Sequence, residues 1–302
     1  MGHQHNHSHF NDKREENKKG LIIALIITTI IMILEFAGGL FTNSLALLSD
    51  SGHMLSDASS LALSLLAIWF ATRPPSSSKT YGYYRFEIMA ALFNGITLFL
   101  IAGFIVYEAI QRFNEPPTVA SGTMILIASI GLIANILSAF TLLKKADVKE
   151  NINMKSAYLH IIGDALGSVG AIIAGILMLL FDWYIADPII SVLVALLILK
   201  SAWGVLQHSI HILMEGSPDT LNREEVLSLL QNIEGVTEVH DLHIWTITSG
   251  LDSFSCHIVI EDNVDEQVVL QIAINLIHDK YEIEHTTIQI EKSNLQHEKL
   301  RI

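Results

Sequence analysis

The chain has 302 residues, of which 51% are hydrophobic and only 16% charged, well below the roughly 25% charge of a soluble domain, which argues against an ordinary cytosolic enzyme. A formal net charge of -13 argues against nucleic acid, whose phosphates call for basic patches. One cysteine, Cys256, stands against 14 histidines, which excludes an intramolecular disulfide and a cysteine-based zinc cluster; any metal site must use imidazole and carboxylate.

The first stretch, residues 1–19, is polar and alternates four histidines, His3, His5, His7 and His9. Such tracts can bind metals; a disordered tail or part of an expression tag are the alternatives, and the irregular spacers argue against a simple tag. Six long apolar segments follow, at Gly20–Phe41, Ser44–Ala71, Phe86–Gln111, Gly122–Leu143, Lys155–Phe181 and Ile185–Leu213. Each meets the roughly 20 residues that a helix needs to cross a bilayer. Buried core helices are the other reading, and six in succession at this length disfavour it. No small-residue cleavage site follows a short apolar region, so a signal peptide is not expected. Eleven lysines and arginines flank the spans before the first, between the second and third, and between the fourth and fifth, while the other three connections hold only Arg112. That asymmetry predicts both termini in the cytoplasm.

From Glu215 onward there are 17 acidic and 5 basic residues, against 14 and 13 before it. This acidic end predicts a small cytoplasmic domain in the order α-β-β-α-β: a helix over Arg223–Ile233 capped by Asn222, strands at Thr237–Ile247 and Ser253–Glu261, a helix at Val264–Lys280 and a strand at Glu284–Glu291. Residues after Lys292 are expected to fray. The domain boundaries expected are thus 1–19, 20–214, 215–292 and 293–302.

Ionisable residues inside a span are costly, so each is a functional candidate. Span 2 carries Asp50, His53 and Asp57, and span 5 carries His160 and Asp164. His53 and Asp57 are four apart and share a helix face, and His160 and Asp164 repeat the spacing. Facing helices would join two imidazoles and two carboxylates, an N₂O₂ set suited to tetrahedral zinc. A buried hydrogen-bond network without metal is the alternative, which two matched pairs disfavour. Small residues at spacing four, Gly52, Ser56, Ser60 and Ser64 in span 2 and Gly163, Gly167, Ala171 and Gly175 in span 5, predict close packing of the two helices.

The strings Thr42-Asn-Ser-Leu-Ala-Leu-Leu-Ser-Asp-Ser-Gly-His-Met-Leu-Ser-Asp57, Tyr81-Gly-Tyr-Tyr-Arg-Phe-Glu87, Tyr158-Leu-His-Ile-Ile-Gly-Asp164, Ala186-Asp-Pro188, His211-Ile-Leu-Met-Glu-Gly216, His240-Asp-Leu-His-Ile-Trp245 and Thr287-Ile-Gln-Ile-Glu291 together resemble the cation diffusion facilitators, especially their bacterial cadmium/zinc/cobalt-resistance members. The resemblance runs from about Gly20 to Glu291. It implies an α-helical membrane protein of six transmembrane helices with a C-terminal α+β, ferredoxin-like or metallochaperone-like cytoplasmic domain. It also implies a homodimeric metal/proton antiporter in the cell (inner) membrane, with Zn²⁺ as cargo and protons as counter-ion. His53, Asp57, His160 and Asp164 fall on the family's transport-site positions; His at 53 fits zinc there and does not by itself exclude cadmium or cobalt. His240, His257, His285 and Glu291 resemble the family's cytoplasmic zinc positions, where zinc would also regulate; surface residues on strands are the other reading. Arg73–Tyr84 has no His, Asp or Glu, so the loop metal site of some relatives is not expected here.

Two other classes fit the residues less well. An intramembrane metalloenzyme keeps an open coordination position with a base beside it, whereas four protein ligands fill the shell. A channel needs a low-affinity path, which a tetrahedral cage does not give.

Overall fold

The apolar segments form six helices: α1 (His7–Thr42), α2 (Leu45–Ala71), α3 (Arg85–Asn114), α4 (Ser121–Lys145), α5 (Ile152–Phe181) and α6 (Ala186–Leu213). The computed structural model describes residues 7–71, 73, 75–145, 152–218, 220–248 and 250–292, with side chains left undescribed before 22 and at 23, 24, 64, 67, 68, 71 and 141–162. Five of the helices are long and apolar enough to cross a membrane, and only 22% to 28% of their apolar windows is buried within the protein. Their outward faces carry Phe93, Leu100, Phe104, Leu180 and Leu197, all more than half exposed, the pattern of a bundle solvated by lipid rather than water. The other helix, α2, is 27 residues long, ~40 Å at 1.5 Å per residue. It carries Asp50, His53 and Asp57.

Two compact units divide the chain. One holds α1, α2, α4, α5 and most of α3 and α6; the other holds Arg73–Met89 and everything from Gln207 onward. The contact boundary falls inside α6, and the α2–α3 connection groups with the C-terminal part.

Within the first unit α2 is central. Leu45 packs with Leu98, Ala102 and Ile105 of α3 and with Ala195 and Ile198 of α6. Ala46 and Leu47 pack with Met124 and Ala128 of α4 and Ala171, Ala174 and Met178 of α5. The turn between α1 and α2 is tight because two glycines permit it: a Cβ on Gly38 would lie 2.6 Å from Ile127 of α4, and one on Gly39 2.7 Å from Leu48 of α2. The small-residue stripes are divided among more neighbours than expected. Gly167 of α5 does face α2, where a Cβ would lie 2.8 Å from Asp50 Oδ1, but Gly175 meets Ile125 of α4 and Gly52 of α2 meets Ile101 and Ile105 of α3. Each glycine serves whichever helix crosses at its level.

In the second unit the order is α7 (Arg223–Gln231), β1 (Val236–Thr248), β2 (Leu251–Ile260), α8 (Glu266–Tyr281) and β3 (His285–Lys292), as the sequence predicts. Asn222 caps α7, its Oδ1 accepting from the Glu224 N–H at 2.9 Å, and Asp265 caps α8 in the same way. The sheet order is β1-β2-β3, with β1 and β2 antiparallel and β2 and β3 parallel. The helices cover one face through Val226, Leu230, Val269, Ala273 and Ile277, which meet Ile244, Phe254, Cys256 and Ile258 of the sheet.

Candidate metal centres

The first centre lies between α2 and α5. On α2, His53 and Asp57 stand one turn apart, and on α5 Asp164 faces them. His53 Nε2 lies 3.2 Å from Asp164 Oδ1, with the two side chains 24% and 13% exposed. His53, Asp57 and Asp164 each offer a ligand atom, and those atoms lie within 4.8 Å of one another, a spacing that one ion can bridge. Helix α5 carries His160 one turn before Asp164, but the His160 side chain lies outside the described residues. The donor set suits a borderline divalent ion: imidazole nitrogen with two carboxylates that cancel its charge in a low-dielectric setting.

The α2 end of this centre is fixed by a residue whose role single-sequence reading missed. Asp187, in Ala186-Asp-Pro188, is 1% exposed. Its Oδ1 accepts from the Ser44 hydroxyl at 2.7 Å and from the Ala46 N–H at 3.1 Å, and its Oδ2 accepts from the Leu45 N–H at 2.7 Å. The carboxylate of α6 thus caps α2, satisfying N–H groups that would otherwise be buried without acceptors. Arg112 completes the knot. Its guanidinium lies 3.7 Å from Asp187 Oδ2 and donates to the Asn43 carbonyl at 2.7 Å and to Glu108 Oε1 at 3.1 Å. The Asp-Pro at the start of a span was the available signal, since Pro favours the first helical turn and Asp its N-terminus.

The second centre is on the open face of the C-terminal sheet. His240 of β1 and His257 of β2 are direct partners in the antiparallel ladder, with ring centroids 5.1 Å apart. Glu291 of β3, 5% exposed, reaches both: its Oε2 lies 3.3 Å from His240 Nε2 and its Oε1 2.7 Å from His257 Nδ1. Asp241 joins them, 3.5 Å from His240 Nδ1. An unbroken strand would send Asp241 to the opposite face from His240. The register shifts between His240 and His243 and Asp241 takes a positive φ of 49°, so a bulge turns it to the same side. A bulge carries no reliable sequence mark, which is why Asp241 was missed.

His285 departs from the expected cluster. In the parallel register His257 is opposite Gln289, while His285 is opposite Ser253, four residues or about 13 Å further along the strand. There its ring stands 6.0 Å from that of Tyr81. His3 and His5 of the tail lie outside the described residues, as do the side chains of His7 and His9. His211 has Nε2 2.8 Å from the Ser217 carbonyl oxygen.

Comparison with known proteins places these centres in context. Residues 21–214 match the family model "Cation efflux transmembrane domain", and residues 218–293 match "Cation efflux protein, cytoplasmic domain". The chain is 47% identical, over 99% of its length and 94% of the relative's, to the cadmium, cobalt and zinc/H(+)-K(+) antiporter of Bacillus subtilis. It is 41% identical to the zinc transporter ZitB of Escherichia coli, over 96% of this chain and 93% of that one. It is also 41% identical to the metal cation efflux system protein CzcD of Cupriavidus metallidurans, over 96% and 90%.

Proposed function

We propose that this chain, which belongs to the cation efflux family, exports zinc from the cytoplasm in exchange for protons, with cadmium and cobalt as further cargo. It is a multi-pass membrane protein, and its relatives are named as transporters and antiporters rather than enzymes. The observation that carries the reading is the His53, Asp57 and Asp164 group between two helices of membrane-spanning length. We assign His160 as its fourth ligand from its place on α5. The protein works as a homodimer in the cell (inner) membrane, with both termini and the C-terminal domain in the cytoplasm; the basic loops support that orientation.

The chemistry follows from the donor set. Zinc needs neutral imidazole and ionised carboxylate, so protons compete with it for the same atoms. Histidine titrates nearest physiological pH, which makes His53 and His160 the proton carriers. In the state open to the cytoplasm the ligands take zinc. When the bundle rocks outward, protons displace the ion, and the protonated site returns. His240, His257, Glu291 and Asp241 form a separate cytoplasmic site where zinc regulates rather than travels. The test is metal uptake into everted vesicles under an imposed pH gradient, with zinc, cadmium, cobalt and manganese compared. Uptake of zinc that collapses with the gradient is expected; uptake indifferent to the gradient would overturn proton coupling.

A further inference from the structure

A second group of acids lies deeper in the bundle, and neither centre uses it. Glu35 of α1 is 1% exposed and Asp50 of α2 is 4% exposed. Both are carboxylates in the membrane-spanning part of the chain, where burial without a counter-charge is strongly unfavourable. Ser168 of α5, also 1% exposed, donates its hydroxyl to Asp50 Oδ2 at 3.4 Å. Among the described residues Glu35 Oε2 has no hydrogen-bond partner, although it is fully out of solvent.

The surrounding helices leave room for these oxygens. A Cβ on Gly131 of α4 would collide with Glu35 Oε1 and lie 3.4 Å from Ser168 Oγ, and a Cβ on Gly167 would lie 2.8 Å from Asp50 Oδ1. Two glycines on two helices thus open a space into which two carboxylates and a hydroxyl project. Four helices contribute to it: α1, α2, α4 and α5. Asp50 is three residues before His53, ~4.5 Å along the α2 axis. In the orientation proposed above, that is the outward side of the transport cluster.

We propose that Glu35, Asp50 and Ser168 form a second intramembrane cation station, which holds the divalent ion after it leaves His53, Asp57 and Asp164. The inference rests on the export reading for its direction, but not for the binding itself. Two carboxylates match a charge of +2, and an all-oxygen set without imidazole binds a borderline ion less tightly than a set with nitrogen. Weaker binding at the outer station favours release outward. The orphaned Glu35 oxygen is the feature that a bound cation would satisfy.

The test uses the full chain in lipid nanodiscs, dialysed to equilibrium against zinc, with metal counted per protomer. Glu35→Gln should lose one ion relative to the parent chain, and Gly131→Ala, which fills the same space from another helix, should lose it too. Asp57→Asn/Asp164→Asn should lose a different ion, so adding Glu35→Gln to that background should remove a further one. If Glu35→Gln and Gly131→Ala both keep the parent count while dimers remain intact by size-exclusion chromatography, the station is overturned. It is equally overturned if Glu35→Gln keeps the count but moves the pH dependence of transport, which would make the pair a proton carrier alone. Failure of the export reading looks different: Asp57→Asn/Asp164→Asn would keep its zinc flux while the Glu35→Gln loss stood.

Discussion

The two histidine–carboxylate centres use the same donors and hold them in opposite ways. In the C-terminal sheet, His240 and His257 are ladder partners and Glu291 arrives from the third strand. The spacing of their backbones is therefore set by the ladder hydrogen bonds of the sheet. In the membrane, His53 and Asp57 ride on α2 while Asp164 rides on α5. Only side-chain packing sets the distance between the two helices, and packed helices slide and tilt. The site proposed to release its ion is built across two helices, and the site proposed to sense it is built on one sheet.

The largest effect that would break this contrast is at the membrane centre. Asp57→Ala or Asp164→Ala should abolish zinc flux in everted vesicles while leaving a folded dimer, because each removes a ligand and a charge that the ion requires. Near wild-type flux in either would remove the basis for calling this the transport site. His53→Asp sharpens the same point: it exchanges nitrogen for oxygen, so flux should persist with a changed ranking of zinc against cadmium and manganese. An unaltered ranking would count against direct coordination by His53.

Next in size is Asp187→Ala, which tests whether α2 is anchored at one end. It strips an acceptor from two backbone N–H groups and the Ser44 hydroxyl and removes one of the two carboxylates beside Arg112, leaving Glu108. Losing one member of a buried, hydrogen-bonded charge pair costs about 3 kcal/mol or more, read as a lower thermal midpoint in detergent. Asp187→Asn, which keeps one acceptor oxygen, should fall between; a midpoint matching the parent for both would refute the anchor.

In the sheet, His240→Ala/His257→Ala should leave maximal zinc flux within about twofold, since the ligands that travel with the helices are untouched. What should vanish is any zinc-dependent change in the distance between labels placed on paired C-terminal domains. A zinc response that survives the double substitution would place regulation elsewhere. The smallest effect concerns Cys256. Burial pushes its thiol up to about 12 and its side chain is 1% exposed, so almost no thiolate exists at neutral pH. Alkylation of the native protein should be negligible at pH 8 and complete after denaturation; rapid native labelling would show that the sheet opens.

How much of this was legible in the sequence follows the same division. Helical ligand pairs are visible because i and i+4 fall on one face, so His53 with Asp57 announced itself, and the repeated spacing pointed to Asp164. Element order and the Asn222 cap were legible for the same local reasons. The sheet centre depends on which residues of three separate strands stand opposite one another. Register is set by packing and bulges, so His285 was grouped with a cluster four residues away, and Asp241 was passed over because a bulge turned it. The role of Asp187 is not legible locally, since its partners in the α1–α2 turn lie more than 140 positions away in sequence.

The cap that Asp187 places on α2 also sets a mechanical advantage. With the Leu45 end of α2 pinned, any tilt of the helix would pivot about that fulcrum. His53 sits eight residues from the pin and Ala71 twenty-six, about 12 Å and 39 Å along the axis. A swing of about 3 Å at the far end therefore moves His53 by about 1 Å, by the same rise per residue. Coordination distances tolerate only a few tenths of an ångström, so this reduced stroke suffices to unseat an ion. Such gearing would make the centre insensitive to small displacements of the Ala71 end and responsive to large ones.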